Sequence, residues 1–250
     1  MSLFHPVNLV CPACKAAITM PAVGSVNADR RPDLRDEILE DRFQDTVCEA
    51  CGAGFRLQPQ FNFLDVGRGQ WLAAMPALRI AEYVEVEDEI TAVFDTSYGS
   101  GAPSAAQDIG KGLTVRLTFG WPAVREKILA RAAGLDDVAL EVLKLDMLRS
   151  MTGAPLAPGV ELRLVRDMGS DLGFAWLASA SEASAGDEFL VSRYAYDAIA
   201  ADPEPFAALR DALTDGPFVD MQKLYVGRGR GAPPEPVADF EAILAETVEE

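Results

Sequence analysis

Apolar spacing divides the chain into short strands first and helices later. Residues 15–23 read as a strand, Asn27 as a helix cap, and Pro32 with Leu34, Ile38 and Leu39 as the first turn and inner face of a short helix. Residues 43–47, 54–57, 61–66 and 70–74 have the alternation and the aromatic and β-branched content of strands, the last two joined by the turn Val66-Gly67-Arg68-Gly69. Pro76 closes this part. Beyond it the period lengthens. Ile80, Ala81, Val84, Ile90, Val93 and Phe94 predict a helix over 78–94, and residues 98–112, with glycine and serine throughout, predict a linker.

Residues 113–119 alternate as a strand. Pro122 then opens a helix with Val124, Ile128, Leu129 and Ala132 on one face, Gly134 stops it, and Asp136 caps a second helix over 138–148. Strands are expected at 161–166, 173–178 and 188–192, helical segments over 194–213, and a last strand over 218–226. Residues 227–234 read as a tether, after which Val237, Phe240, Leu244 and Val248 form one stripe of a short amphipathic helix.

Charge narrows the partners. Lys plus Arg number 22 against 39 Asp plus Glu, a net charge of −17, and such a field repels phosphate backbones, so nucleic acid is disfavoured as a partner. Residues 1–78 hold seven basic and nine acidic side chains, a net of −2, which leaves −15 on the remaining 172. The opening Met1 to Pro6 has no basic n-region, and no window reaches the roughly eighteen apolar residues of a membrane helix. The expectation is a cytoplasmic protein with reduced thiols and no membrane partner.

All four cysteines fall into two C-x2-C hooks, Cys11-Pro12-Ala13-Cys14 and Cys48-Glu49-Ala50-Cys51, the second followed by Gly52. A tight turn between two thiolates aims backbone amides at sulfur, and two such hooks supply the four soft ligands that tetrahedral zinc prefers. Cys11, Cys14, Cys48 and Cys51 are therefore expected to bind one structural Zn2+; four thiolates fill its coordination sphere, so the metal is expected to do no chemistry. The 33 residues between the hooks exceed the common spacing of about 15–20, and a helix at Pro32 inserted between two hook-bearing hairpins accounts for the excess. A thioredoxin-like redox pair and a disulfide pair are the competing readings. A redox hook needs only one pair at a strand-to-helix junction, which the strand-like run after Cys14 and the second hook both oppose. Zinc binds small modules with about 10–16 kcal/mol, comparable to a domain's whole stability, so its loss is expected to unfold residues 1–77.

The fold class is thus α+β. An N-terminal zinc-ribbon-like β module with an inserted helix (1–77) is followed by a helix and linker (78–112), an acidic α+β domain (113–226), and a tether with its tail helix (227–250).

The hooks and their surroundings resemble the bacterial and archaeal CpXC family, whose members carry a CPxC hook, an intervening segment and a CxxCG hook. The resemblance runs through Cys11-Pro12-Ala13-Cys14, Ser25-Val26-Asn27-Ala28, Pro32-Asp33-Leu34-Arg35, Cys48-Glu49-Ala50-Cys51-Gly52, and the strand pair around Asp65 and Trp71 to Pro76. Glu49 stands where the family usually has proline. Residues 115–125, Gly134-Leu135-Asp136-Asp137, Glu141-Val142-Leu143-Lys144 and Phe218-Val219-Asp220 are similar to the C-terminal part of longer members. The resemblance implies zinc binding through the hooks and carries no catalytic residue with it.

Other candidates have ordinary readings beside functional ones. His5, the only histidine, is a spare metal ligand or a surface residue, and four thiolates leave it no place. Asp136, Asp137 and Glu141 are a magnesium or acid–base cluster in one reading. In the other, favoured here, they are a helix cap, a first-turn acid and an i,i+3 partner of Lys144. Glu85, Glu87, Asp88 and Glu89 are expected on a solvated helix face. Gly227-Arg228-Gly229-Arg230-Gly231 resembles an RNA-touching stretch but has two arginines only, and Gly67-Arg68-Gly69 and Gly99-Ser100-Gly101 lack the context of a phosphate loop. The leading expectation is a zinc-stabilised scaffold that binds a protein partner or a second copy of itself, without enzymatic activity. The alternatives are an enzyme with a carboxylate site in the C-terminal domain and, third, a nucleic-acid-associated zinc ribbon.

Overall fold

A computed structural model describes residues 2–154, 159–178 and 188–226; the expected tether and tail helix lie outside the described residues. Phe4–Val10 (β1) and Ala17–Val23 (β2) form an antiparallel hairpin with Val10 opposite Ala17, so the first hook occupies its tip. Ser25–Asn27 (β3) and Pro32–Leu39 (α1) follow. A second hairpin, Asp45–Val47 (β4) with Gly54–Arg56 (β5), pairs Val47 with Gly54 and carries the second hook at its tip. The helix does lie between the two hook-bearing hairpins.

Two local expectations change here. Strand β1 contains Pro6 and is exposed or half-exposed along its length, so neither burial nor alternation announces it. Asn27 ends β3 rather than capping α1: its Oδ1 accepts from the Arg30 amide at 3.0 Å, and Arg31 takes the cap position with no capping bond from its side chain.

The main sheet has the order β3-β6-β7-β8, built with Phe61–Asp65 (β6), Gln70–Met75 (β7) and Thr114–Phe119 (β8). β6 and β7 are antiparallel, whereas β3 lies parallel to β6 and β8 parallel to β7. The parallel step from β7 to β8 needs a crossover. A 3-10 turn at Ala77–Glu82, then Tyr83–Tyr98 (α2) and Ser104–Gly110 (α3), supply it. The expected linker over 98–112 is therefore corrected to the end of α2, a turn held by Ser100 on Asp95, and α3. Its glycines serve packing: a Cβ at Gly110 would meet the Tyr98 carbonyl oxygen at 2.2 Å. The sheet itself joins residues from both sides of position 112.

Both faces of this sheet are covered, which is why 71–75 reads as an unbroken apolar run. Phe61, Phe63, Leu72 and Ala74 face Phe43, Trp121, Val124 and Ile128 on one side. On the other, Trp71, Ala73, Leu117 and Phe119 face Tyr83, Val86, Ile90 and Phe218.

Gly120–Ala132 (α4) follows β8 directly, and Asp137–Ser150 (α5) packs beyond it. An antiparallel sheet of order β11-β10-β9 comes next, from Val160–Asp167 (β9), Asp171–Ala178 (β10) and Phe189–Ser192 (β11). With Arg193–Ala201 (α6) and Ala207–Leu213 (α7) it encloses a core that includes Leu140, Leu143, Leu162, Phe174 and Ile199. Helix α4 stands between this core and the main sheet, so it is buried nearly all round and its amphipathicity is weak.

Residues 218–226, expected as a strand, form turns and a short helix, Lys223–Val226 (α8). Side chains have taken the amides that a strand would pair. Phe218 N donates to Glu87 Oε1 at 2.9 Å, Met221 N to Glu141 Oε2 at 3.0 Å, and Gln222 N to Asp220 Oδ1 at 2.9 Å.

Gly69 ends the turn between β6 and β7 with φ +60°, and a Cβ there would meet the Gly112 carbonyl oxygen at 2.6 Å. Gly69→Ala is predicted to destabilise the chain by about 2 kcal/mol, through left-handed strain and that clash, read as a lower urea midpoint.

Candidate metal centre

The two hooks are built alike. The amide of the first cysteine donates five residues ahead, Cys11 N to Ala16 O at 2.8 Å and Cys48 N to Ala53 O at 2.9 Å. The residue after the second cysteine donates back, Lys15 N to Cys11 O at 3.0 Å and Gly52 N to Cys48 O at 2.7 Å. That residue is left-handed in both hooks, with φ 65° at Lys15 and 73° at Gly52. Glycine takes this conformation freely, and lysine does so only under constraint. The repetition shows that the turn, rather than the residue type, is what each site requires.

These turns bring all four sulfurs within 4.8 Å of one another, where they could hold a metal ion. Cys11 Sγ lies 3.8 Å from Cys51 Sγ, and Cys14 Sγ lies 3.6 Å from Cys48 Sγ. A disulfide would bring a pair to about 2.0 Å. A tetrahedron with metal–sulfur bonds of about 2.3 Å has edges of about 3.8 Å. The separations match the metal site. Cys11 and Cys48 are buried, Cys14 and Cys51 are exposed, and the Cys14 amide points at Cys11 Sγ from 3.5 Å.

The clustered sulfurs perturb one another's charge. The hydrogen bond from the Cys14 amide draws the Cys11 thiol down to about 6. Against the pull of the Ala53 amide, hydrogen bonds with the neighbouring sulfurs and burial push Cys51 up to about 12. A cation placed among the four sulfurs would favour their thiolate forms. His5 takes no part: it pairs with Ala22 at the opposite end of β1, and six residues of strand put it about 20 Å from Cys11.

The second hairpin is anchored to the body of the protein by its last residue. Arg56 lays its guanidinium 3.7 Å from the Trp121 ring centroid, donates from Nε to Phe43 O at 2.9 Å, and reaches Asp41 Oδ1 at 3.2 Å. Trp121 Nε1 in turn donates to Leu57 O at 3.0 Å.

The acidic candidates divide. Asp136 is the N-cap of α5, its Oδ1 accepting from Ala139 N at 2.8 Å. Asp137 is drawn inward by Arg116 at 2.7 Å and Lys127 at 3.0 Å. Glu141 does pair with Lys144, at 2.7 Å, but in full burial, and it shares Lys127 at 3.2 Å. The expected solvated face of α2 needs one correction. Glu87 is buried, bonded to the Phe218 amide and 3.5 Å from Lys223 Nζ, because residues 215–223 fold over it.

Glu126, Arg163 and Asp220 complete a buried network that the sequence reading missed. Lys144 holds Glu126 at 2.9 Å, and Arg163 holds Glu126 at 2.7 Å, Asp220 at 2.6 Å and Glu161 at 2.6 Å. Carboxylate oxygens of Glu126, Glu141 and Asp220 lie within 4.8 Å of one another, the spacing of a divalent-cation triad. Here the chain's own cations fill that place. Burial opposes the charge on Glu126 and Asp220, yet Lys144 and Arg163 keep them below the usual carboxylate range. Against the same cost Asp137 and Glu141 hold Lys127 up at about 12, whereas burial prevails at Glu141 and raises it. A partial signal was available: Glu126, Lys127, Glu141 and Lys144 fall among apolar neighbours on α4 and α5, but Arg125, Arg131, Asp146 and Arg149 on the same helices do not stand apart from them in the sequence.

Among the described residues, no helix is long and apolar enough to cross a membrane. Residues 9–144, more than half of the chain, match the family model described as CpXC protein. The matched span runs from β1 through both hooks and ends at Lys144 in the buried network. No curated protein and no solved structure matches the chain.

Burial initially raises the Asp137 pKa, but Lys127 and Arg116 depress it overall, so its contribution to stability is present above about pH 4 and is lost as pH falls toward its folded value. Asp137→Asn is predicted to cost about 2–3 kcal/mol at pH 7 by leaving Lys127 and Arg116 short of a counter-charge. Urea midpoints of the two proteins are predicted to converge as pH drops below about 4.

Proposed function

The chain belongs to the CpXC family, and on that premise we propose that it is a zinc-stabilised interaction protein: a closed metal site fixes a ribbon whose exposed face binds another protein or a second copy of the chain. An all-thiolate donor set with tetrahedral separations favours Zn2+, and four sulfurs leave no open position for substrate or water. The reduced thiols this requires suit the cytoplasm.

The observation that carries the interaction reading is a repetition across the two hooks. The residue just before each hook is an exposed valine, Val10 at 62% and Val47 at 63% exposure. Leu3 and Phe4 are exposed as well, but at the far end of the first hairpin, outside this surface. Large apolar side chains in solvent at equivalent points beside one metal site make a small contact surface that zinc holds rigid. Release of the zinc is proposed to free the two hairpins first, since neither two-stranded sheet has a core of its own. Arg56 on Trp121 would then lose its support.

Val10→Asp/Val47→Asp places two charges on this face without touching a sulfur. The variant is predicted to keep one equivalent of metal and its urea midpoint while losing association at least tenfold, measured by analytical ultracentrifugation and by recovery of crosslinked partners from its own cells. Unchanged association would remove the proposal.

A further inference from the structure

We infer that the crevice between α1, α4 and the β9–β10 hairpin is a binding site for a short aliphatic carboxylate. It encloses about 120 Å³. Its walls are apolar, with Leu39 from α1, Pro122 and Leu129 from α4, and Leu177 from β10. Two guanidinium groups, Arg125 and Arg163, are set among them.

One buried donor on this crevice lacks an acceptor. Arg125 Nε is buried and has no hydrogen-bond partner among the described residues. Arg163, by contrast, is engaged: its Nη2 lies against a Glu161 oxygen and its Nη1 meets Glu126 and Asp220. Buried N–H groups are satisfied in folded proteins by protein, water or ligand, and an orphan beside an apolar cavity marks a place for something else. Arg125 is held by Asp41 through Nη1 at 2.6 Å, so the Nε side of its planar fork faces no acid. Asp41 is moreover shared with Arg56, at 3.2 Å, so it gives Arg125 only part of a counter-charge.

The ligand follows from these constraints. A guanidinium fork with an open edge matches the two oxygens of a carboxylate better than a point acceptor. Leucine and proline walls offer nothing polar to the rest of the molecule, which must be aliphatic. A cavity of about 150 Å³ holds a six-carbon ring, so this one takes about five or six non-hydrogen atoms, the size of propionate or butyrate. The same chemistry is offered by the C-terminal carboxylate of a peptide ending in valine.

The test is a titration of the full chain with sodium butyrate, followed by methyl and arginine side-chain NMR. Saturable shifts are expected at the methyls of Leu39, Leu129 and Leu177 and at Arg125 Nε–H. Butyramide, the same shape without the charge, is expected to bind at least tenfold more weakly. Two variants separate binding from folding. Arg125→Lys keeps a charge for Asp41 but removes the fork, and Val165→Phe narrows the crevice from β9. Each is expected to weaken butyrate at least tenfold with the zinc content unchanged. A peptide with a free C-terminal valine that binds more tightly than butyrate assigns the site to chain termini, and weaker binding assigns it to the free acid. The inference is overturned by shifts that do not saturate, by butyramide matching butyrate, or by both variants binding as the parent does. It stands apart from the zinc reading, which none of these outcomes touches.

Discussion

Four sulfurs held 3.6 to 3.8 Å apart along the observed edges are the constraint on which the ribbon depends. The hairpins that carry them, β1–β2 and β4–β5, are separate two-stranded sheets, and such sheets are marginal in water by themselves. Their amides are spent inside the hooks, on carbonyls five residues ahead and on a cysteine sulfur, so each turn is shaped before any metal arrives. What the turns cannot do is hold four thiolates together against their own repulsion. In the zinc reading a cation does that, and the placement of the two hairpins follows from it. The grip then passes onward through Arg56, stacked on Trp121 at the start of α4.

Helix α4 is the second organising element, and it works by charge in a dry place. Glu126 and Lys127 project where apolar side chains would be expected, and they meet Lys144, Asp137 and Glu141 from α5 and Arg163 from β9. A buried ion pair is weak support for stability when weighed against an apolar replacement, but removing one partner strands the other. The network also reaches main chain: Glu126 Oε1 accepts from Leu164 N at 2.7 Å, and Glu141 accepts from Met221 N. Its geometry therefore fixes where β9 and the last described segment lie relative to α4 and α5.

Much of this was legible in the sequence, and the boundary of legibility has physical reasons. The cysteine cluster was readable because two C-x2-C hooks use every cysteine, and the intervening helix because Pro32 announces it. Caps and stops at Asp136 and Gly134 are local chemistry and were readable too. Strand β1 was not, because an exposed edge strand with a proline has no hydrophobic signature. Helix α3 was hidden by its small residues, whose close packing against Tyr98 is a property of the fold. Residues 218–226 have strand-like composition, but their amides bond to Glu87 and Glu141, carboxylates 131 and 80 positions away, which no local window can see. Glu87 misled for the same reason: its place on α2 suggests solvent, and only the returning chain buries it.

The central claim is that the four cysteines of this CpXC protein close around one zinc. X-ray absorption at the zinc edge, on protein purified without added metal, reads the first coordination shell directly. The account predicts one zinc per chain with four sulfur neighbours at about 2.3 Å and no nitrogen or oxygen neighbour. A shell containing nitrogen or oxygen, or a metal-free protein with Cys11, Cys14, Cys48 and Cys51 joined as disulfides, would contradict it.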